Sequence, residues 1–326
     1  MRRVLLAAAV LCHALAATLF LAQPLSAQEW PTRPIRVIIP LTAGAATDIM
    51  ARAVFEQVSA QLGQPFIVEN RPGAGNTIGM AAVAHAEPDG YTILANSSTH
   101  TVSPATRSKM PFNVITDLSG VIPLGNMPVV MAVNPKKGYK TLADFVNYAR
   151  KNPGAVNYAS AGAGNSSHLN GERFRLAAKF EAVHVPQRGA PEALTEVIAG
   201  RLDFYFAPLL NSINFLREGT LQALAVSGSQ RASALPDVPT TVEAGYPNSE
   251  YNFWAGVFVP SKTPPAIRNR LHAEIVKALK SQVLSERLGK LGADPFLITP
   301  AQFDELIKQE IEVNTQLVKA AGIVVN

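Results

Sequence analysis

The fold class follows from residues 34–58, whose sequence is PIRVIIPLTAGAATDIMARAVFEQV. The segment begins with a β-branched apolar run, Ile35–Ile39, that is typical of a buried strand. A loop of small residues follows at 41–47. Apolar side chains then recur at helical spacing as far as Val58, with Gly63 as the expected helix end. Strand, small-residue loop and helix in this order are typical of one βα unit in an α/β protein.

The same alternation continues along most of the chain. Further strands are predicted at residues 66–68, 91–95, 129–133, 158–160, 182–185, 202–206, 221–226 and 251–259. Helices are predicted between them, at 77–86, after the capping-box pair Thr141 and Asp144, and between Pro191 and Gly200. Because strands joined through helices pair in parallel, the pattern predicts an α/β fold with two parallel-rich sheets flanked by helices.

The end of the chain has a different pattern, because no strong strand follows residue 259. Two helices are expected to close the chain. The first starts near Pro265 with apolar residues on one face, and a capping box formed by Thr299 and Gln302 announces the second. Since these helices have no strands between them, they are expected to pack on the part of the protein that the first strands and helices of the chain form.

A chain of 326 residues is long enough for two lobes. We place the crossings between the lobes near Met127 and near Tyr251. Residues 28–127 and 252–326 then form a discontinuous lobe 1, and residues 128–251 form lobe 2. A ligand cleft is expected between the two lobes.

Residues 1–27 have the organisation of a secretory signal peptide. Two arginines precede an apolar stretch at 4–22, and a small-residue exit ends at Ala27, after which we expect cleavage. His13 and Gln23 interrupt or bound the apolar stretch, which favours a cleaved signal over a membrane anchor. The mature protein is therefore expected to be exported to the periplasm.

Composition excludes several classes of function. The net charge is +5, and no stripe of Lys and Arg interleaved with aromatics is present, so nucleic acid is not an expected partner. The single cysteine, Cys12, lies in the predicted signal peptide, which removes disulfides and thiol chemistry from the mature chain. The Gly-x-Gly pairs at 73–75 and 162–164 lack the third glycine of a dinucleotide fingerprint, and the histidines lack metal-ligand spacing. We expect no cofactor and no metal.

Two loops of small residues, at 40–48 and 160–168, lie between a predicted strand and a predicted helix. Ligands of open α/β sheets bind at such places, and the free N–H groups at a helix start attract an anion. An ordinary tight βα turn is the alternative for either loop alone. The candidate ligand-binding residues are Thr42, Ala43, Gly44, Ala45, Ala46, Thr47 and Asp48 in the first loop, and Gly162, Asn165, Ser166 and Ser167 in the second.

The role of Asp48 is open between contacting the ligand and holding the loop. A carboxylate would repel an acidic ligand, so we favour a capping and loop-holding role.

Catalysis is not indicated. Ser166 or Ser167 beside His168 is the tempting arrangement, yet adjacent residues at a helix start do not face each other. We expect a binding protein and not an enzyme, with a secreted enzyme as the less favoured alternative.

Motifs along the chain carry a family resemblance that is collinear from about Pro34 to Ile323. They are PIRVIIP at 34–40, TD at 47–48, VENRPGAG at 68–75, PDGYT at 88–92, NYASAG at 157–162, SSHL at 166–169, HVP at 184–186, LPDVPT at 235–240 and KAAGI at 319–323. Through these motifs the chain resembles the extracytoplasmic solute receptors of the tripartite tricarboxylate transporter system, the Bordetella uptake gene group. The resemblance implies a two-lobed, periplasmic-binding-protein-like fold of type II that closes on a small carboxylate.

The resemblance also implies partners and further site residues. A membrane permease would receive the ligand, although a sensory receptor that signals to another partner is an alternative, and we expect a monomer. The two loops already described would grip the ligand carboxylate. Further residues that the resemblance places in the cleft are Asn96, Ser97, Ser98, Gln187, Arg188, Gly189 and Ala207.

Two departures from the family pattern bear on the ligand. Ala207 stands where an acid is common, which argues against an amino-acid ligand, because its ammonium group would pair with that acid. Gln187 and Arg188 replace an aromatic residue and a lysine. Arg188 could bind a second carboxylate through two parallel hydrogen bonds, with a solvated arginine on a turn as the alternative. We therefore expect an aromatic or aliphatic dicarboxylate.

Overall fold

A computed structural model describes residues 30–107, 109–290 and 292–323. The predicted signal peptide, residues 1–27, lies outside the described residues. The described part contains ten β-strands and eleven α-helices. No helix in this part is long and apolar enough to cross a membrane.

The strands are β1 (Ile35–Ile39), β2 (Phe66–Asn70), β3 (Thr92–Ser97), β4 (Leu118–Met127), β5 (Val129–Val133), β6 (Asn157–Ser160), β7 (Val183–Pro186), β8 (Phe204–Pro208), β9 (Gln222–Val226) and β10 (Phe253–Pro260). The helices are α1 (Ala46–Leu62), α2 (Thr77–Ala84), α3 (Thr99–Thr106), α4 (Val114–Asp117), α5 (Leu142–Lys151), α6 (Ser166–Ala178), α7 (Ala190–Ile198), α8 (Leu209–Arg217), α9 (Pro265–Leu279), α10 (Gln282–Lys290) and α11 (Pro300–Ala321).

The strands form two five-stranded sheets of the same design. The first has the order β2-β1-β3-β10-β4, and the second has the order β7-β6-β8-β5-β9. In the first sheet β10 runs antiparallel to both of its neighbours, and in the second sheet β5 does the same. Four strands of each sheet therefore point one way and one is reversed, so the sheets are mixed, as well as rich in parallel strands.

The reversed strands are the ones that carry the chain between the sheets. Met127 ends β4 in the first sheet and Val129 begins β5 in the second, while Phe253 begins the return strand β10. Both sheets belong to one compact unit that starts at Arg33. The division into lobe 1 and lobe 2 stays a prediction.

Local sequence signals account for several helix ends. Thr141 and Asp144 form a capping box at the start of α5, as predicted, and Thr299 and Gln302 form one at the start of α11. Gly63 ends α1 in the left-handed conformation with a φ of 65°.

One expectation was wrong, and one strand was missed. Three helices, and not two, close the chain, since α10 lies between α9 and α11. Strand β4 was not predicted, because Gly120, Pro123 and Gly125 interrupt its apolar pattern. Strand β4 lies at the edge of the first sheet. Its pairing with β10 shifts register twice, and these irregularities accommodate the three residues.

The closing helix α11 packs against β4 and α3, so the tail covers the first sheet as predicted. Phe303 is fully buried at this contact. Cβ atoms added at Gly120 and at Gly256 would each lie 2.6 Å from the Phe303 ring. The two glycines therefore provide the space in which the ring anchors α11 to the sheet.

Candidate functional site

The two loops singled out from the sequence occupy equivalent places in the two sheets. Residues 40–45 connect β1 to α1, and residues 161–165 connect β6 to α6. Both loops line one cavity of about 520 Å³. The first-turn N–H groups of a helix have no partner within the helix, so each helix start can present backbone donors to this cavity, although side chains accept from those of Ser166 and His168 in α6.

Asp48 holds the first loop together. Its Oδ2 accepts a hydrogen bond from the Gly44 N–H at 2.9 Å, and its Oδ1 accepts from Arg52 Nε and Asn70 Nδ2, each at 3.0 Å. The carboxylate is nearly buried and does not line the cavity. The loop-holding role is confirmed, whereas the capping role was wrong, because Ala45 is the N-cap and Asp48 is the third residue of α1.

Asn165 caps the second helix. Its Oδ1 accepts from the His168 N–H at 3.0 Å and from the Ser167 hydroxyl at 2.9 Å. The Ser167 Oγ in turn accepts from the Ala161 N–H at 2.9 Å. These bonds fix the loop that precedes α6, so Ser167 acts first as a part of the scaffold.

Helix α3 lies against the start of α6. The Thr99 hydroxyl donates to the Ser166 Oγ at 3.1 Å, and Thr99 Oγ1 accepts from the Ser166 N–H at 3.1 Å. Further along α3, the Thr106 hydroxyl donates to the Gly164 carbonyl oxygen at 3.2 Å. Since Ser166 Oγ accepts the bond from Thr99, its own hydroxyl proton stays available to an acceptor in the cavity.

His168 does not form a catalytic pair with either serine. Its Nδ1 accepts from the Gly164 N–H at 3.1 Å, and its ring stacks on that of His184 at 3.7 Å. His184 Nε2 lies 2.6 Å from Ser160 Oγ. Burial lowers the pKa of His168 to about 4 and that of His184 to about 3, so both rings are neutral near pH 7. The two neutral rings therefore hold the second loop through their contacts with Gly164 and Ser160.

Direct contacts also join the first loop to residues that follow strands of the second sheet. Asn211, in α8, donates from its Nδ2 to the Gly44 carbonyl oxygen at 2.7 Å. A Cβ atom added at Gly189 would overlap Thr42 Oγ1. The first loop therefore touches residues that follow β7 and β8, and the cavity is closed on this side.

Several buried polar atoms beside the cavity have no hydrogen-bond partner within the described part of the chain. They belong to residues that line the cavity and are Thr42 Oγ1, Thr47 Oγ1, Arg107 Nε, Asn170 Oδ1 and Asn211 Oδ1. Buried polar atoms in proteins nearly always have a partner. Their concentration here indicates a site built for a polar ligand.

Most of the predicted site residues line this cavity. They are Thr42, Ala45, Ala46, Thr47, Ser97, Gly162, Asn165, Ser166, Ser167, Gln187, Arg188 and Gly189. The other predicted residues, Ala43, Gly44, Asp48, Asn96, Ser98 and Ala207, are not in its lining. Ala207, for example, is fully buried in β8 opposite Val130 of β5.

The sequence reasoning missed other lining residues. The segment 72–76 follows β2, the parallel neighbour of β1, so its place at the carboxyl end of the sheet was a usable signal. Tyr205, Phe206, Tyr251 and Phe253 add aromatic side chains to the wall. Arg107, Asn170 and Asn211 also line the cavity, and no local sequence pattern marks them.

A ligand-sized cavity bordered by helix starts from two separate α/β sheets defines a two-lobed solute-binding protein. Comparison with known sequences gives the particular family. Residues 50–323 match the family described as tripartite tricarboxylate transporter family receptor, TctC, and the chain belongs to this family. The resemblance stated from the sequence motifs is thereby confirmed, as is the two-lobed, periplasmic-binding-protein-like fold.

Three relatives illustrate the similarity. Protein BugT of Bordetella pertussis is 34% identical over 308 residues, which cover 94% of this chain and 94% of BugT. The structure of R. palustris Rpa4515 with adipate has a TM-score of 0.87 and 29% identity, covering 91% of this chain and 99% of that one. MatC (Rpa3494) from Rhodopseudomonas palustris with bound malate has a TM-score of 0.84 and 32% identity, covering 89% and 100%.

Proposed function

We propose that this chain is a periplasmic receptor that captures a small carboxylate and delivers it to the membrane permease of a tripartite tricarboxylate transporter. It acts as a monomer, without enzymatic turnover, after its signal peptide is cleaved. The family assignment and the adipate and malate of two solved relatives support this proposal. Both of these ligands are dicarboxylates, which favours the same chemical class here.

The observation that carries the proposal is the convergence of two helix starts on one cavity. Carboxylate oxygens would accept from the N–H groups of the first turn of α1, at Ala46 and Thr47. The Thr47 hydroxyl is buried without a partner, and the Ser166 hydroxyl has a free proton, so each adds a donor. The aromatic wall would enclose the carbon skeleton between or beyond the acid groups.

A thermal-shift screen tests the proposal, followed by calorimetry on the acids that stabilise the protein. The panel comprises mono-, di- and tricarboxylates, aromatic acids and amino acids, and the protein is denatured and refolded first to remove bound ligand. A ligand at 100 times its Kd should stabilise the fold by about 2.7 kcal/mol. Stabilisation by carboxylates is expected; no response to any carboxylate after refolding would overturn the proposal.

A pair of variants locates the site. Thr47→Val removes one unpartnered hydroxyl from the cavity and keeps the shape of the side chain, so the affinity for a carboxylate should fall about 3- to 10-fold. Thr315→Val is the matched control, because Thr315 is exposed on α11. Equal affinities of the two variants would show that the carboxylate binds elsewhere.

A further inference from the structure

Arg107 is a positively charged residue that lines the cavity and lies outside the two ligand loops. It is the C-cap residue of α3, and its backbone N–H donates to the Ser103 carbonyl oxygen at 3.2 Å. Its side chain lies against the turn Ala74–Asn76, where a Cβ atom added at Gly75 would be 2.5 Å from Arg107 Nη2 and 3.0 Å from Nε. A side chain at position 75 would therefore displace the guanidinium from its present place.

The turn beside Arg107 has an unusual backbone. Ala74, Gly75 and Asn76 all have positive φ values, of 45°, 57° and 75°. Ala74 and Asn76 are therefore held in a conformation that L-residues with a side chain rarely adopt, and such conformations cluster at ligand sites. The Ser103 hydroxyl donates to the Gly75 carbonyl oxygen at 2.9 Å and ties the turn to α3.

The charge of Arg107 has no counterpart among the described residues. Arg107 takes part in none of their ion pairs, and its Nε is buried without a hydrogen-bond partner. Glu192 is the single acid in the cavity lining. Its Oε2 lies near Gly189, which follows β7 of the second sheet. A guanidinium stays charged in proteins, and partial withdrawal of a charge from water without a partner is unfavourable. Arg107 is partly buried, so an anionic group of the ligand would offset this penalty.

The contact of α3 with Ser166 and the residue Arg107 lie at opposite ends of this helix, although Thr106, next to Arg107, contacts Gly164 of the second loop. Thr99 and Arg107 both line the cavity, at opposite ends of α3. Eight residues of helical rise separate them, which is about 12 Å along the axis. Thr99 contacts Ser166 at the start of α6, whereas the guanidinium of Arg107 lies against the turn Ala74–Asn76, so the cavity offers a charged group in addition to the helix-start donors.

We propose that the ligand is a dicarboxylate and that Arg107 binds its second carboxylate while the two helix starts bind the first. This inference rests on the proposed function and names the residue that selects dicarboxylates within it. Arg107 takes the role that the sequence suggested for Arg188. Arg188 also lines the cavity but is exposed on its turn, where water screens its charge. The guanidinium of Arg107 is partly buried, so its bidentate hydrogen bonds to a carboxylate would be stronger than those of the exposed Arg188.

Matched acids and matched variants test this inference by calorimetry. Adipate is compared with hexanoate, and terephthalate with benzoate, so each pair differs by one carboxylate. Wild type is expected to prefer the dicarboxylate of at least one pair by about 30-fold or more. Arg107→Gln should abolish that preference and leave the affinity for the monocarboxylate within about twofold. Arg107→Lys, which keeps the charge without the planar fork, should give an intermediate preference.

Arg188→Gln tests the alternative, in which the other arginine of the cavity binds the second carboxylate. Arg217→Gln, at an exposed position of α8 outside the cavity lining, is the control and should change both affinities by less than about threefold. Three results would overturn the inference: equal affinities of wild type for both members of each pair, an equal loss of both acids in Arg107→Gln, or loss of the preference in Arg188→Gln alone. The melting temperature of each ligand-free variant separates misfolding from lost recognition. If wild type binds none of the carboxylates of the wider screen, the proposed function itself fails, which is a different result.

Discussion

Asn211 and Gly44 are joined by a 2.7 Å hydrogen bond from the asparagine Nδ2 to the glycine carbonyl oxygen. Asn211 belongs to α8, which follows the second sheet, and Gly44 belongs to the first ligand loop, which follows the first sheet. The bond therefore connects the two sides of the cavity directly. It contributes to the closed arrangement and makes no contribution to the packing of either sheet.

Loss of this bond should weaken ligand binding more than folding. Asn211→Ala is expected to lower the affinity for a carboxylate about 2- to 10-fold, the range that corresponds to one net hydrogen bond. Asn214→Ala, on the exposed face of the same helix, is the control. Calorimetry measures the affinities, and a loss of affinity that is equal in both variants would show that the bond is not part of closure.

Addition of a single methyl group at Gly189 should weaken ligand binding. Its φ of −174° suits any residue, but a Cβ atom would overlap Thr42 Oγ1 across the cavity. Gly189→Ala is therefore expected to hold the cavity open and to reduce ligand affinity at least about 10-fold, with little change in the free energy of unfolding.

A second substitution checks this explanation. The double variant Gly189→Ala with Thr42→Gly removes the obstructing side chain and should recover part of the closure, seen as a smaller radius of gyration in X-ray scattering. Gly289→Ala is the control, because a Cβ atom there meets nothing within 4 Å. Full affinity in Gly189→Ala alone would contradict the steric argument.

Asp48 should matter to stability as well as to binding. Asp48→Ala removes the acceptor of the Gly44 N–H and one of the two acceptors of the Asn70 amide, which predicts a loss of about 1–3 kcal/mol in the free energy of unfolding. Arg52→Ala should cost less, about 0–1 kcal/mol, because the Arg52 side chain is half exposed. Urea unfolding measures both, and equal losses would show that the ion pair, and not the loop bonds, carries the effect.

The stacked histidines predict a specific dependence of stability on pH. The ordinary pKa of histidine is 6.5, and burial lowers the pKa of His168 to about 4 and that of His184 to about 3. The unfolded chain therefore takes up protons that the folded chain excludes as the pH falls below 6.5. The stability from these groups is complete above that pH and is lost toward pH 4, by up to about 1.4 kcal/mol per pH unit for each histidine.

Substitution of one ring tests the assignment. His184→Phe keeps a ring in the stack and removes one titrating group, so the free energy of unfolding should fall less steeply between pH 6.5 and pH 4. Thr315→Val, which changes no titrating group, should leave the slope unchanged. An unchanged slope in His184→Phe would mean that other groups cause the loss of stability in acid.

The N-terminus offers a direct test of export. Cleavage after Ala27 predicts that the protein recovered from the periplasm begins at Gln28. Intact-mass spectrometry distinguishes this form from the uncleaved chain. Retention of residues 1–27 on a membrane-associated protein would favour an anchor instead.

Sequence reasoning succeeded where a local signal fixes a local structure. The apolar run of Ile35–Ile39, the small-residue loops and the two capping boxes are such signals, and each has the structure expected of it. It failed where the structure depends on distant parts of the chain. The reversal of β5 and β10 follows from the crossings between sheets, which no local pattern records.

Arg107 was missed for the same reason. The preceding helix α3 contains Pro104 and many polar residues, so its sequence lacks a helical pattern. Its polar side chains are satisfied by distant partners instead; for example, Thr101 donates to Glu310 of α11 at 2.9 Å. The position of Arg107 beside the cavity therefore depends on the whole fold.

The place of β10 between β3 and β4 constrains the order in which the protein can fold. When synthesis has reached the end of β9, the chain already contains every strand of the second sheet. The first sheet is then still in two pieces, because β10 is the strand that joins β4 to the rest of that sheet, and Ala255 of β10 pairs with Ser97 far back in the sequence. Pairings over such distances in the chain form slowly. The second sheet can thus form early, and the first is completed last, by insertion of one strand between two that are already present.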